Sequence, residues 1–312
     1  MTATIGTRST AASAVTRRDL SRAATTRRRR GSTVKIVLGA ICALLVILPV
    51  ALARVLPIAD PDAQTLTDKL VPPGTGGHLL GTDQLGRDLL SRVLYGGQVS
   101  LLIGVMAIIV SGIIGIVLGS LAGYYGGKVD AIISRVLEAQ ISLPLLMMLL
   151  LIVALFGTSI PVIAFVIAIA NWPEPARITR ALVLVEREKP YVAAARVLGL
   201  HRIAILVKHV LPNIISQATV VVLLLLAQAV LLESALSFLG AGPQRPFATW
   251  GRIISDGQAY LTTAWWVVTV PGITIALLVI GVNLVGDGLR SGGLDTGSGS
   301  LLGRLRRRPK VV

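Results

Sequence analysis

The chain has 312 residues, of which 54% are hydrophobic and only 14% charged. Soluble domains carry about 25% charged residues, so an ordinary soluble fold is excluded and a chain that crosses a membrane several times is indicated. Thirty Lys and Arg against 15 Asp and Glu leave a net charge of +15. These cations flank apolar runs instead of forming a basic stripe, which argues for membrane topology and against nucleic acid as a partner. The single cysteine, Cys42, lies inside the first apolar run and reads as a small apolar residue.

Residues 1–33 are rich in Ser, Thr, Ala and Arg and contain nothing that could build a core, so a disordered basic cytoplasmic tail is expected. Arg17-Arg18 resembles a twin-arginine export signal, and Ala51-Leu52-Ala53 a small-residue cleavage site. The run 34–56 is nevertheless long enough to span, since about 20 apolar residues suffice, and it is expected to be a retained first membrane helix. Residues 57–98 form a polar loop with Pro57, Pro61 and Pro72-Pro73. Within it, Leu85, Leu89, Leu90, Val93 and Leu94 recur at helical spacing, with Arg87, Asp88 and Arg92 on other faces. That pattern predicts a short interfacial helix over 81–97.

Five further apolar runs follow, at about 99–121, 136–156, 159–183, 213–237 and 264–286. Trp172-Pro173-Glu174-Pro175 must kink or break the fourth span, because proline removes a helical hydrogen bond. The expected fold is an all-α polytopic membrane protein with six transmembrane helices and both termini on one side. Twenty-four of the 30 basic residues fall on the side of the tails and of the 186–213 loop, and six fall on the other. The positive-inside rule then places both termini and the 186–213 loop in the cytoplasm. Residues 291–312 are expected to form a second basic cytoplasmic tail.

The loop 186–213 has more regular chemistry than a connection needs. Tyr191, Ala194, Ala195 and Leu198 share one helical face by i, i+3, i+4, i+7 spacing. Gly199 suits a helix C-terminus that needs a left-handed residue. A second helix is expected to start at Arg202 and to run to Pro212, taken as the first-turn residue of the fifth span. The predicted result is an exposed hairpin with an alanine-rich contact face and a charged rim, better suited to a protein partner than to anionic lipid, which would favour Trp, Phe or Leu.

The run YVAAARVLG followed by HRIAILVKHVLPN resembles the EAA loop of permease subunits in binding-protein-dependent ABC importers. Ala194, Ala195, Gly199, Leu211 and Pro212 match that motif at the right spacing, and Asn213 completes the HxLPN form of the peptide branch. Ala193 stands where the motif has Glu, and His209 where it has Ile. GTDQLGRDLLSRVLYGGQVSL (81–101), ESALSFLGAG (233–242), Trp250-Gly251, AWW (264–266) and NLVGDGLR (283–290) are similar to the C-type subunit of dipeptide, oligopeptide and nickel permeases. The resemblance covers about 80–290; after Arg290 the chain reads Ser291-Gly292-Gly293, where the family usually continues D-A-L-D-P.

The resemblance implies a type I ABC importer transmembrane domain in a bacterial plasma (inner) membrane. It would pair with a second homologous permease subunit, one or two P-loop ATPase subunits and an extracytoplasmic substrate-binding protein. The 186–213 loop would couple to the ATPase, with Arg196 or the upstream glutamates supplying the charge that Ala193 lacks. The chain would be a transport subunit and not an enzyme. The sequence has no G-x-x-x-x-G-K-[ST] phosphate loop, so ATP and Mg would belong to the partner subunits and no cofactor or metal would be bound directly. Small peptides are the expected substrate class, with nickel or a haem-like solute as the alternative cargo.

Gln217 and Gln228 lie three helical turns apart on one stripe of the fifth span and are candidates for lining the pathway, or equally for interhelical hydrogen bonds. Asn283 and Asp287 share a face near one end of the sixth span and are expected to cap or anchor it. Glu233 and Glu138 lie near span ends, where interfacial solvation would account for both. An intramembrane protease would need a Ser–His pair or two Asp residues at membrane depth, and neither is present. A proton-coupled carrier would need paired mid-membrane acids and an internal repeat, which are not visible either.

Overall fold

The computed structural model describes residues 32–244 and 246–293, so the tails expected over 1–33 and 291–312 lie almost wholly outside the described residues. The described chain is helical, with only isolated bridges at Thr75–His78 and Thr82–Asp88. We number the helices α1 (Ser32–Leu52), α2 (Leu89–Tyr125), α3 (Gly127–Ile141), α4 (Leu145–Phe156), α5 (Ile160–Asn171), α6 (Pro173–Glu186), α7 (Pro190–Val197), α8 (Arg202–Phe238), α9 (Trp250–Gly257) and α10 (Trp266–Gly293). Four of them, α1, α2, α8 and α10, are each long and apolar enough to cross a membrane. A fifth crossing results if the bent pair α3 and α4 counts as one span.

α2 is the central helix, with α5, α6 and α8 packed along it. Its buried face is made of small residues, Ser100, Gly104, Ser111, Gly115, Gly119 and Gly123 among them. Its exposed face carries Leu102, Val105, Ile109, Ile113 and Val117. This is the distribution expected where lipid is as apolar as the side chains, so that helices gain by close backbone approach. A Cβ at Gly115 would lie 2.6 Å from Pro175, at Gly119 2.4 Å from the Ala176 carbonyl oxygen, and at Gly123 2.7 Å from that of Arg180. Three glycines at i, i+4, i+8 thus set the distance between α2 and α6. α1 lies against α10 in the same way, Gly39 facing Gly281 and Ser32 Oγ donating to the Gly288 carbonyl at 2.6 Å.

Several expectations change. Residues 81–97 do not form a separate interfacial helix. Asp83 Oδ1 accepts the Leu85 and Arg87 N–H groups, holding 83–87 in a turn, a competition with helix that short acidic side chains commonly win. Asp88 then caps α2 by accepting from Ser91 N at 2.9 Å, and the helix runs unbroken from Leu89 to Tyr125. Arg87 and Arg92 are buried, not solvent-facing, and both pair with Asp83, at 2.7 and 2.5 Å. The 136–156 run is not one straight span: α3 and α4 meet at 92° across residues 142–144, where Pro144 starts the second helix.

The run 159–183 is divided at Trp172, as its two prolines require. Pro173 has no N–H to offer the Ile169 carbonyl one turn back, and Gln140 Nε2 donates to that carbonyl instead. Gln140 Oε1 accepts from Trp172 Nε1 at 2.7 Å, tying the end of α3 to the break. Finally, no second helix ends at Pro212. Arg202–Phe238 is continuous, and the lost hydrogen bond is absorbed upstream in a π-helical turn at Leu206–Val210.

Candidate functional site

The 186–213 segment forms a hairpin of α7 and the start of α8 at the bundle end that also holds Tyr125 and the end of α6. Pro190 opens α7 and Gly199 closes it. Gly199 has φ +75°, its N–H donates to the Arg196 carbonyl, and Leu200 N–H donates to the Ala195 carbonyl. These two bonds are the Schellman arrangement, which places glycine after the helix end. The exposed tip of α7 carries Ala193, Ala194, Arg196, Val197 and Leu198, the last two 87% and 79% exposed.

Ala195 is not part of that exposed face. It is 6% exposed and packs with Val192, Ile205, Leu206 and Val210 against Tyr124 and Val183. Helical spacing puts Ala194 and Ala195 a residue apart, about 100° around the axis, and the fold turns one outward and the other into its own small core. That core joins the hairpin to the ends of α2 and α6.

Polar contacts complete the attachment. The Tyr191 hydroxyl donates to Glu186 Oε1 at 2.7 Å and accepts from Asn213 Nδ2 at 3.0 Å. Asn213 Nδ2 also donates to the His209 carbonyl at 2.7 Å, within the π-helical turn. Lys189 pairs with Glu186 at 2.7 Å, and Arg187 donates to the Gly123 carbonyl at 2.8 Å. Burial and then the adjacent Glu186 carboxylate push the Tyr191 phenol above its ordinary value. Arg196 stacks over the Tyr124 ring at 5.9 Å. It borders a cavity of about 450 Å³ with Tyr125, Arg187, Glu188 and Arg202. His209 and Pro212 shape the backbone of this site, Leu211 is half-buried beside its core, and Asn213 acts through its side chain.

Replacing Tyr191 by Phe is expected to reduce the local opening free energy of the hairpin by about 1 kcal/mol, the value of one such hydrogen bond. Faster amide hydrogen exchange over 191–200, with exchange in α2 unchanged, is the corresponding observation.

Gln217 and Gln228 both face away from the bundle core and border different cavities. Gln217 lies with Ile178, Leu182 and Leu289 on a space of about 430 Å³. Gln228 borders two smaller spaces. One, of about 250 Å³, includes Asn283, Asp287 and Arg290, and the other, of about 240 Å³, includes Gln140, Asn171 and Arg177. Glu174 lines both. A carboxylate beside a helix break within an apolar run, as Glu174 is, is the sequence signal that marks this place. Asn283 and Asp287, one turn apart on α10, are both exposed.

Glu138 is exposed and pairs with Arg135 at 3.0 Å, but Glu233 is not solvated at a span end as its position suggests. It is fully buried at the α9 end of the bundle, where it accepts from Ser237 Oγ at 2.6 Å with Ser100 and Thr249 beside it. Nearness to a span end placed it at the surface by inference; α9 and the preceding loop fold over it.

Residues 115–291 match the family model described as binding-protein-dependent transport system inner membrane component. The chain belongs to this family. A putative peptide transport system permease protein of Brucella suis is 39% identical over 253 residues, 81% of this chain and 85% of that protein. The di/tripeptide transport system permease protein of Pseudomonas aeruginosa is 41% identical, over 74% and 78%. The oligopeptide transport system permease protein of Haemophilus influenzae is 40% identical, over 70% of each chain. A solved chain of the MetNI methionine ABC transporter, inward-facing, superposes with a TM-score of 0.53 at 18% identity, covering 64% of this chain and 94% of that one. The likeness shows that this family member has the helical membrane fold of an ABC transporter. It is a multi-pass inner-membrane protein.

Proposed function

We propose that this family member is one of two permease subunits of an ATP-driven importer for small peptides. In this reading α5 and α6 together make one crossing, the chain spans six times, and the α7 hairpin, both tails and the ATPase subunits share the cytoplasmic side. An external binding protein would deliver peptide at the α9 end, to the 81–97 and 238–263 segments. The peptide class rests on what the similar permeases are named for. The mechanical role rests on the hairpin.

The observation that carries this reading is the pairing of an exposed small-and-apolar tip with a rigid base. Val197 and Leu198 project from α7, while Val192 and Ala195 lock the same helix to α2, α6 and α8. A partner that moved the tip would therefore move three helices of the bundle, which is what coupling ATPase closure to a membrane pathway requires. ATP and Mg belong to that partner in this proposal.

Ala194→Asp is the test, because Ala194 is exposed and its substitution leaves the inner core intact. In the assembled importer it is expected to reduce uptake at least tenfold, since a carboxylate would be buried in an apolar contact, with membrane insertion unchanged. Ala195→Asp should instead disorder the hairpin itself. Normal uptake and normal ATP hydrolysis by the Ala194 variant would remove the coupling role.

A further inference from the structure

The division of α5 from α6 carries one carboxylate. Glu174 is the second residue of α6, following Pro173 and preceding Pro175. Twelve residues of α5 separate it from one bundle end and twelve more residues of α6 from the other, about 18 Å each way. It therefore lies about midway along the α5–α6 pair, which is mid-depth if that pair is one crossing, as proposed above. An ionisable side chain at that depth is costly and calls for a partner or a watery cavity. Glu174 is exposed and makes no ion pair within 4 Å among the described residues, although Arg177 lies three residues on.

Glu174 and Gln228 line both of the adjoining cavities. Asn171 lines the cavity nearest the break, is only 4% exposed, and its Nδ2 has no hydrogen-bond partner. A buried donor left unsatisfied is destabilising unless something occupies the space beside it. Arg177 lines one cavity and Asp287 with Arg290 the other, so the cleft carries both signs of charge.

We propose that Glu174 is the cation-recognition residue of this cleft, binding the α-ammonium group of a peptide while Asn171 and Gln228 hydrogen-bond the adjacent amide groups. This inference rests on the peptide-permease reading above. Pro173 and Pro175 remove two helical N–H donors at the break, a loss tolerated within a membrane only where protein covers it or a cavity adjoins it. The two signs of charge fit a zwitterionic substrate.

The test uses the complete importer with its own binding protein in proteoliposomes. Uptake of one short peptide is compared with uptake of its N-acetylated form, for wild type, Glu174→Gln and Glu174→Asp. The same binding protein serves all three, so its selectivity cancels when the uptake ratios are compared. Glu174→Gln is expected to lower the preference for the free amine about tenfold, the scale of one hydrogen bond to a charged group. Glu174→Asp should keep most of that preference. Equal loss for both peptides, or loss of association with the second permease in a pull-down, would overturn the inference and make Glu174 an interface residue. An unchanged ratio would also overturn it. Failure of the wild-type importer to take up either peptide would remove the peptide reading itself, an outcome distinct from a wild type that transports and a Gln variant that matches it.

Discussion

Replacing Gly119 by Val is expected to abolish recovery of folded protein, and Gly119→Ala to lower it sharply. A Cβ at this position would stand 2.4 Å from the Ala176 carbonyl oxygen and 3.0 Å from Thr179 Cβ. The first of these is backbone, which cannot rotate aside as a long side chain does, so α6 would have to retreat along its whole contact with α2. Overpacking inside a folded core typically costs about 1–3 kcal/mol, and a clash with helix backbone at the central helix pair lies at or beyond the upper end. Gly115 and Gly123 are equally filled, so a rotation that relieved one clash would worsen the others. The measurement is the monodisperse fraction after detergent extraction, with Val117→Ala as the control on the exposed face of the same helix. A Gly119→Val variant that eluted and melted like the control would refute close glycine packing between α2 and α6.

Asp83→Asn is expected to cost about 3–5 kcal/mol, the range for breaking a buried charge pair by removing one partner. Asp83 is fully buried and serves two arginines, Arg87 and Arg92, themselves almost inaccessible. Asn would keep the acceptor for the Leu85 and Arg87 N–H groups but would leave Arg92 only Asp256, 3.7 Å away, and Arg87 without a paired carboxylate among the described residues. Burial alone would push the Asp83 carboxyl up. Arg92, the Arg87 N–H and guanidinium, and the Leu85 N–H together outweigh burial and hold it below the ordinary 3.8. A lowered native value means that the carboxylate's contribution is complete above the unfolded-state value of about 3.9 and is lost as pH falls through the native one. The gap in thermal stability between wild type and Asp83→Asn should therefore stay constant from pH 7 to about 5 and narrow only below about 4. A gap that closed between pH 7 and 6 would contradict this account of the cluster.

The sequence alone determined the membrane class, because 54% hydrophobic and 14% charged residues leave no other solvent for such a chain. It located the apolar runs, the break at Trp172–Pro175 and the glycine closure of α7, each written in a residue type with one physical consequence. Proline removes a donor wherever it stands, and Gly199 reaches φ +75° without strain. The spacing of Ala194, Gly199 and Pro212 also sufficed for the family resemblance.

Which side of a pattern faces inward is set by packing between distant parts of the chain. Ala194 and Ala195 are alike in sequence, and only the core of Tyr124, Val183 and Val192 distinguishes them. Arg87 and Arg92 have the polarity of a surface, and Glu233 the position of one. Each is buried because an element distant in the chain, or a side chain elsewhere in it, supplies partners that local periodicity does not record. The 186–213 loop illustrates both halves: its motif and helical hairpin were legible, but its rigid attachment was not, since Glu186, Tyr191, His209 and Asn213 meet only when the chain folds back on itself.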